Sequence, residues 1–133
     1  MKDQYTHLNV QRVLSPVIVS DNTAQVGQVI DSRGYGSVTY VISIGSIADA
    51  DADFVVLLQE ADTPDMAGDA AVEDSNLLGT ELLAAFKFDD DNKTRKLGYN
   101  GIKRYTRMTI TPVNNASAAA FSCVALLGHP DFV

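Results

Sequence analysis

The stretch SVTYVISI, residues 37–44, decides the fold class of this chain of 133 residues. Large apolar side chains alternate in it with small or hydroxyl side chains: Val38, Tyr40, Ile42 and Ile44 fall on one face, and Ser37, Thr39 and Ser43 on the other. An alternation with a period of two residues is typical of a β-strand that buries one face and exposes the other. The stretch therefore predicts a sheet with one face on a hydrophobic core.

Similar β-rich runs recur along the chain, separated by turn-forming residues. They cover residues 10–19, 25–31, 54–58, 84–88, 104–111 and 118–127. Pro16 has no N–H to donate, so the first run predicts an edge strand or two pieces joined at a bend. The continuously apolar run 54–58 predicts a strand covered on both faces.

Two runs leave the type of element open. Residues 77–83 fit either a helical turn or a strand. The alanines of 118–127 are compatible with a helix, but Phe121, Cys123 and Val124 favour a strand. Residues 61–76 are small, acidic and interrupted by Pro64 and Gly68, which predicts a long loop.

About eight short strands, with a turn every ten residues or so, predict an all-β protein: a jelly-roll-like or other antiparallel β-sandwich. The length fits a single core, so we expect one domain at residues 10–133 preceded by a polar N-terminal arm at 1–9. The N-terminus lacks the apolar core of a secretion signal, and no apolar run is long enough to span a bilayer. We therefore expect no membrane association.

Charge is segregated along the chain, whose formal net charge is −7 at pH 7. Residues 49–91, the acidic segment, contain thirteen acidic residues and one basic residue, whereas residues 92–107, the basic segment, contain six basic residues and no acidic one. The fold could bring the two segments together and neutralise them internally. Alternatively, they could form opposite faces that meet on neighbouring subunits, where complementary charge sets the register. The acidic excess argues against nucleic acid as a partner.

Residue types that carry catalysis are sparse. The single cysteine, Cys123, lies in an apolar run, where a buried thiol is the usual outcome. A thiol nucleophile would need His7 or His129 beside it. We expect no catalytic residue and no cofactor, and the chain is not expected to be an enzyme.

The acidic residues offer two candidate cation sites, both weak. Carboxylates at positions 1, 3, 5 and 12 of an EF-hand loop are matched by Asp49, Asp51, Asp53 and Glu60. Phe54 stands where that loop needs glycine, so an acidic turn before a strand is the favoured interpretation. In the turn at 89–92, three adjacent aspartates are expected to face water. We therefore expect no metal site.

Several stretches resemble small proteins encoded in the head-gene modules of tailed bacteriophages and prophages. They are IDSRGYGSVTYVI (30–42) with Gly45 and ADADA (48–52), LGTE (78–81), DNKTRKLGY (91–99), KRY (103–105), TITP (109–112) and LLGHP (126–130). Together they cover most of the chain, from residue 26 to residue 130. Such proteins are virion components found near the major capsid gene, and some are sandwich modules that decorate and cement the shell.

The resemblance implies a capsid decoration or cement subunit that is made in the bacterial cytoplasm and sits on the virion surface. Its expected partners are the major capsid protein and further copies of itself, as a dimer or a trimer. We expect the contact residues to be Lys93, Arg95, Lys96, Lys103, Arg104, Arg107, Tyr35 and Tyr99. The alternatives are a receptor- or carbohydrate-binding tail or spike module, and a head–tail connector or tail component.

Overall fold

The computed structural model describes residues 1–131, which form a β-sandwich. Its strands are β1 (Asn9–Val19), β2 (Gln25–Val26), β3 (Ile30–Asp31), β4 (Tyr35–Ile47), β5 (Asp53–Ala61), β6 (Ala70–Ala71), β7 (Leu77–Leu78), β8 (Phe86–Lys87), β9 (Thr94–Tyr99), β10 (Tyr105–Val113) and β11 (Ala119–Pro130). The helical elements are α1 (Glu81–Ala84) and two 3-10 turns, Tyr5–His7 and Asp74–Asn76. None of the helices within residues 1–131 has the length and apolar character needed to cross a membrane.

The strands form two antiparallel sheets. Sheet one has the order β1-β11-β4-β9-β7, and sheet two has the order β2-β10-β5-β6. In sheet two, β3 also pairs with β10 on the side of β2, and β8 pairs with β5 on the side of β6. We count β2 with β3 as one interrupted strand and β6 with β8 as another, and leave out the two-residue strand β7. When the remaining strands are numbered 1 to 8 along the chain, the two sheets have the jelly-roll orders 1-8-3-6 and 2-7-4-5. The predicted jelly-roll-like sandwich is therefore confirmed.

The core lies between the two sheets. The inward residues predicted for residues 37–44 are all buried, as are Thr106, Met108 and Ile110 from sheet two. Three phenylalanines, Phe54, Phe86 and Phe121, join the sheets, with ring centroids 4.7–5.7 Å apart. Aromatic clusters of this kind add to the stabilisation that burial alone provides.

A buried hydrogen bond also crosses the core. The hydroxyls of Tyr40 on β4 and Thr106 on β10 lie 2.5 Å apart. Burial raises the pKa of the Tyr40 hydroxyl, so it stays neutral at physiological pH. The pair therefore joins sheet one to sheet two without a buried charge.

The edge-strand prediction for residues 10–19 is confirmed. β1 is an edge strand of sheet one, and its pairing with β11 shifts register between Leu14 and Val17, around Pro16. The final run is a strand, not a helix, and it extends to Pro130. The segment 77–83 divides between the two alternatives, because β7 covers its first two residues and α1 begins at Glu81.

The structure differs from the sequence predictions at β5 and at β9. The run 54–58 is covered on one face only: Val55 is 51% exposed and Leu57 is 37% exposed on the outside of sheet two. The sequence predicts no strand within the basic segment, yet β9 occupies residues 94–99. The predicted domain, 10–133, reaches Phe132 and Val133, which lie outside the described residues.

Candidate interaction surface

Five of the six basic residues of the basic segment pair with carboxylates of the same chain. Lys93 and Arg95 contact Asp90, Lys103 contacts Asp62, Arg104 contacts Asp31 and Arg107 contacts Asp69, at 2.7–3.3 Å. All of these carboxylates except Asp31 belong to the acidic segment. Internal neutralisation of one segment by the other, one of the two interpretations of the charge pattern, is therefore confirmed for Lys93, Arg95, Lys103 and Arg107. The sixth, Lys96, has no carboxylate within 4.0 Å among residues 1–131.

Asp90 is the centre of the most connected ion-pair group. Its carboxylate accepts hydrogen bonds from the Lys87 N–H at 3.0 Å and from Lys93 Nζ at 3.3 Å, and Arg95 Nη2 lies 2.9 Å away. Burial alone would raise the pKa of Asp90, but the Lys87 N–H and the two cations outweigh burial and hold it below its usual value. The expectation that all three aspartates of this turn face water is wrong for Asp90, which is buried.

Four of the predicted contact residues line one groove at an end of the sandwich. The groove has a volume of about 400 Å³ and is lined in part by Tyr35, Tyr99, Lys103 and Arg104. Tyr99 is buried, and its hydroxyl donates to Glu60 Oε2 at 2.5 Å and accepts from the Lys103 N–H at 2.9 Å. It therefore offers a partner little area, whereas Tyr35 is half-buried at the rim. The contact of these residues with a partner stays a prediction.

The outer surface of sheet one, which we call the sheet-one face, is apolar at its centre. The strand registers place Arg12, Val124, Val41 and Lys96 side by side in one row across β1, β11, β4 and β9. The next row contains Val10, Leu126, Thr39, Gly98 and Leu78. Val10 is 59% exposed and Leu78 is 58% exposed.

A shallow groove of about 570 Å³ lies on the β9 side of this face. Leu78, Leu83 and Lys96 are among the residues that line it. Its floor requires glycine at position 98, because a Cβ there would lie 2.8 Å from the Cβ of Leu78. Gly98 therefore lets β7 pack closely against β9 and places Leu78 at the edge of the face.

The outer surface of sheet two, which we call the sheet-two face, is also apolar but carries charges of both signs. Val26, Val55, Leu57 and Val113 are exposed there. In the row at its end, Asp53 is aligned with Lys87. Among the described residues at paired strand positions, the charged side chains of the sheet-one face are cations, whereas the sheet-two face has cations and anions together.

Cys123 and Asp49, which were considered for catalysis and for cation binding, have structural roles. Burial raises the pKa of the Cys123 thiol to about 12, which keeps it protonated at neutral pH and unsuited to nucleophilic attack. Asp49 accepts hydrogen bonds from the N–H groups of Asp51 and Ala116, at 2.9 and 2.8 Å, and so fastens two loops together. Within residues 1–131, no three His, Cys, Asp or Glu side chains are grouped as they would be around a metal ion.

Arg12 is a residue that sequence reasoning missed. Its guanidinium donates to Ser15 Oγ at 3.1 Å and to Gln28 Oε1 at 2.7 Å, both of them neutral acceptors. It has no carboxylate within 4.0 Å among the described residues. Arg12 precedes the apolar Val13 on a predicted edge strand, and this order is a signal that the Arg12 side chain points outwards. Nothing in the sequence indicates that Lys96 lies in the same row across the sheet.

Comparison with known proteins assigns no family. No protein-family model matches the chain, and no curated protein matches it. Among solved structures, it is similar to the CBM22-1–GH10 modules of Clostridium thermocellum endo-1,4-beta-D-xylanase 10B, solved with xylohexaose. The sequence identity is 9%, the TM-score is 0.44, and the match covers 96% of this chain and 26% of that chain. This chain thus spans about a quarter of that structure, and so distant a likeness bears on no function.

Proposed function

We propose that this protein is a structural component of a tailed-phage virion: a decoration subunit that binds the outside of the major capsid shell and stabilises it. The proposal starts from the resemblance of residues 26–130 to small head proteins. It places the mature protein on the capsid surface, with the major capsid protein and further copies of itself, as a dimer or trimer, as its partners.

The observation that carries the proposal is the presence of exposed apolar residues on the two broad sheet faces. Val10 and Leu78 on one face, and Val26 and Val55 on the other, are exposed in the single chain. Contiguous apolar surface on a small protein marks a contact with another macromolecule. A flat sheet face fits a broad protein surface better than it fits a small substrate.

A subunit of this kind acts by mass action. A protein that binds the assembled shell but not its separated parts shifts the equilibrium towards the shell. The rigid sandwich supports this role, since its core is fixed by aromatic contacts and an inter-sheet hydrogen bond. Little of the binding free energy is then spent on ordering the subunit.

Copy number on purified particles tests the proposal. We expect hundreds of copies per virion, measured by quantitative gel densitometry against the major capsid protein. A dozen copies or fewer would identify a connector or tail component instead, and absence from the particle would contradict a virion role altogether.

A further inference from the structure

We propose that the sheet-one face is the docking surface, and that its occupant is an acidic protein surface on the outside of the capsid shell. This inference rests on the proposed function and deepens it, because it states which face meets the shell and what chemistry the shell presents there.

The charge of the face supports an acidic occupant. Arg12 and Lys96 are its charged residues, and neither forms an ion pair within residues 1–131. No acidic side chain occurs among the residues that point outwards from the paired positions of its five strands. Rows that carry cations and no anion are an exception on a chain of net charge −7, and Asp31, the anion that lines a groove together with Arg12, is paired with Arg104. Such a face attracts a surface of the opposite sign and repels other cationic surfaces.

The spacing of the two cations gives the contact its geometry. Arg12 on β1 and Lys96 on β9 end the same row, with Val124 and Val41 between them. Three spacings between neighbouring strands separate them, which amounts to about 14 Å. The backbone positions of the two cations therefore lie on either side of an apolar patch, and the face fits a surface that presents carboxylates on both sides of such a patch.

The two parts of the face have different roles. Removing the apolar rows from water supplies binding free energy in proportion to the area buried. The two cations set orientation and the rate of association more than affinity, because exposed charges interact weakly once they are screened by salt.

The sheet-two face fits an acidic partner less well. Asp53 is aligned with Lys87 in its end row, and Arg107 is paired with Asp69 at 2.9 Å. An approaching carboxylate would meet anions as well as cations on this face. The sheet-two face nevertheless exposes apolar residues, so it is the alternative docking surface against which the sheet-one face is compared.

The test compares two double variants of equal charge. The variant Arg12→Glu/Lys96→Glu changes the sheet-one face. The control Arg33→Glu/Lys87→Glu changes two other exposed cations that lack ion pairs within residues 1–131: Arg33 lies in the turn before β4, and Lys87 lies on the sheet-two face. Each substitution lowers the net charge by two, so both variants go from −7 to −11. Thermal unfolding of each variant verifies the fold. The single variant Lys96→Glu alters an exposed side chain, so it serves if the loss of the Arg12 hydrogen bonds weakens the fold.

Binding is measured by co-sedimentation with shells that lack this protein, at low and at physiological salt. We expect Arg12→Glu/Lys96→Glu to weaken binding about tenfold or more at low salt, Lys96→Glu to weaken it less, and Arg33→Glu/Lys87→Glu to change it less than about twofold. We also expect added salt to weaken the wild type more than the double variant of the sheet-one face.

Three results would overturn the inference and leave the proposed function standing. Both double variants could bind as the wild type does, or both could lose binding equally. Alternatively, sedimentation could show that Arg12→Glu/Lys96→Glu dissolves a wild-type oligomer while its shell binding is unchanged, which would make a second copy the occupant. Failure of the wild type itself to bind shells would instead contradict the proposed function, and the inference with it.

Discussion

At the scale of single residues, Tyr40 and Thr106 show how the core accommodates polar groups. Each hydroxyl is buried, and each is satisfied by the other across the two sheets. A buried polar group that loses its partner keeps the cost of its desolvation, whereas removing both partners together removes that cost.

We predict that Tyr40→Phe and Thr106→Val each lower the free energy of unfolding by about 1–3 kcal/mol. The double variant is expected to lose less than the sum of the two, because no hydroxyl is left without a partner. Urea unfolding of the four proteins gives the coupling energy directly. Strict additivity would mean that the two hydroxyls do not act as a pair.

Asp90 gives the stability of the protein a defined dependence on pH. Its pKa is lower in the folded state than in the unfolded chain. The stability it contributes is therefore complete above its unfolded pKa, near 3.9, and is lost as the pH falls through the lower, folded value.

We predict that Asp90→Asn lowers the free energy of unfolding by roughly 2 kcal/mol at neutral pH, because three donors lose a charged acceptor. The gap between variant and wild type should narrow as the pH falls below about 4. Denaturant unfolding at several pH values measures it. Asp89→Asn, at an exposed neighbour in the same turn, is the matched control and should have little effect.

At the scale of elements, the short helix α1 protects an edge of sheet two. Glu81 Oε2 accepts a hydrogen bond from the Leu58 N–H at 2.7 Å, at a point of β5 between the residues that pair with β8 and with β6. Thr80 accepts from the Leu83 N–H at 3.0 Å and so caps the helix. The helix thus satisfies a strand donor that the two-residue strands leave unpaired.

We predict that Glu81→Ala costs about 1–3 kcal/mol in the free energy of unfolding and removes the hydrogen-exchange protection of the Leu58 amide. Glu73→Ala, at an exposed carboxylate in the loop before β7, is the control. Unchanged protection at Leu58 in the Glu81 variant would show that α1 does not stabilise this edge.

The sequence predicted the elements whose pattern is local. Strands β4 and β10 alternate clearly, so their buried faces could be identified from residues 37–44 and 104–111 alone, whereas the alanines of residues 118–127 left a helix open for β11. Strand β9 could not be predicted from the sequence because Arg95 points towards the buried side, where its charge is balanced by Asp90 from the preceding turn. An inward arginine hides the apolar alternation that Leu97 and Tyr99 continue.

The candidate surface was predictable only in part. The basic segment was evident from the sequence, and one of its predicted contact residues, Lys96, lies on the sheet-one face. Which cations are neutralised depends on contacts such as that of Arg107 with Asp69, which lie far apart in sequence. The row from Arg12 to Lys96 depends on three strand registers at once, and alternation within a single strand does not specify them.

At the scale of the whole molecule, the account predicts a concentration-dependent stabilisation of the shell. When the free concentration of this protein is about one hundred times its dissociation constant for a shell site, binding stabilises the assembled state of that site by about 2.7 kcal/mol. Shells that lack this protein should disassemble at a lower temperature, and adding the purified protein should raise that temperature as its concentration increases. Scanning calorimetry of shells measures the shift, and the Arg12→Glu/Lys96→Glu variant should raise it less than the wild type at equal concentration.

The most direct measurement of the central claim is a reconstruction of the assembled particle by electron cryomicroscopy. The account predicts jelly-roll density repeated over the outside of the shell, with the face that carries Arg12 and Lys96 turned towards the capsid protein. Density confined to the tail vertex, or a shell surface bare of this protein, would contradict it.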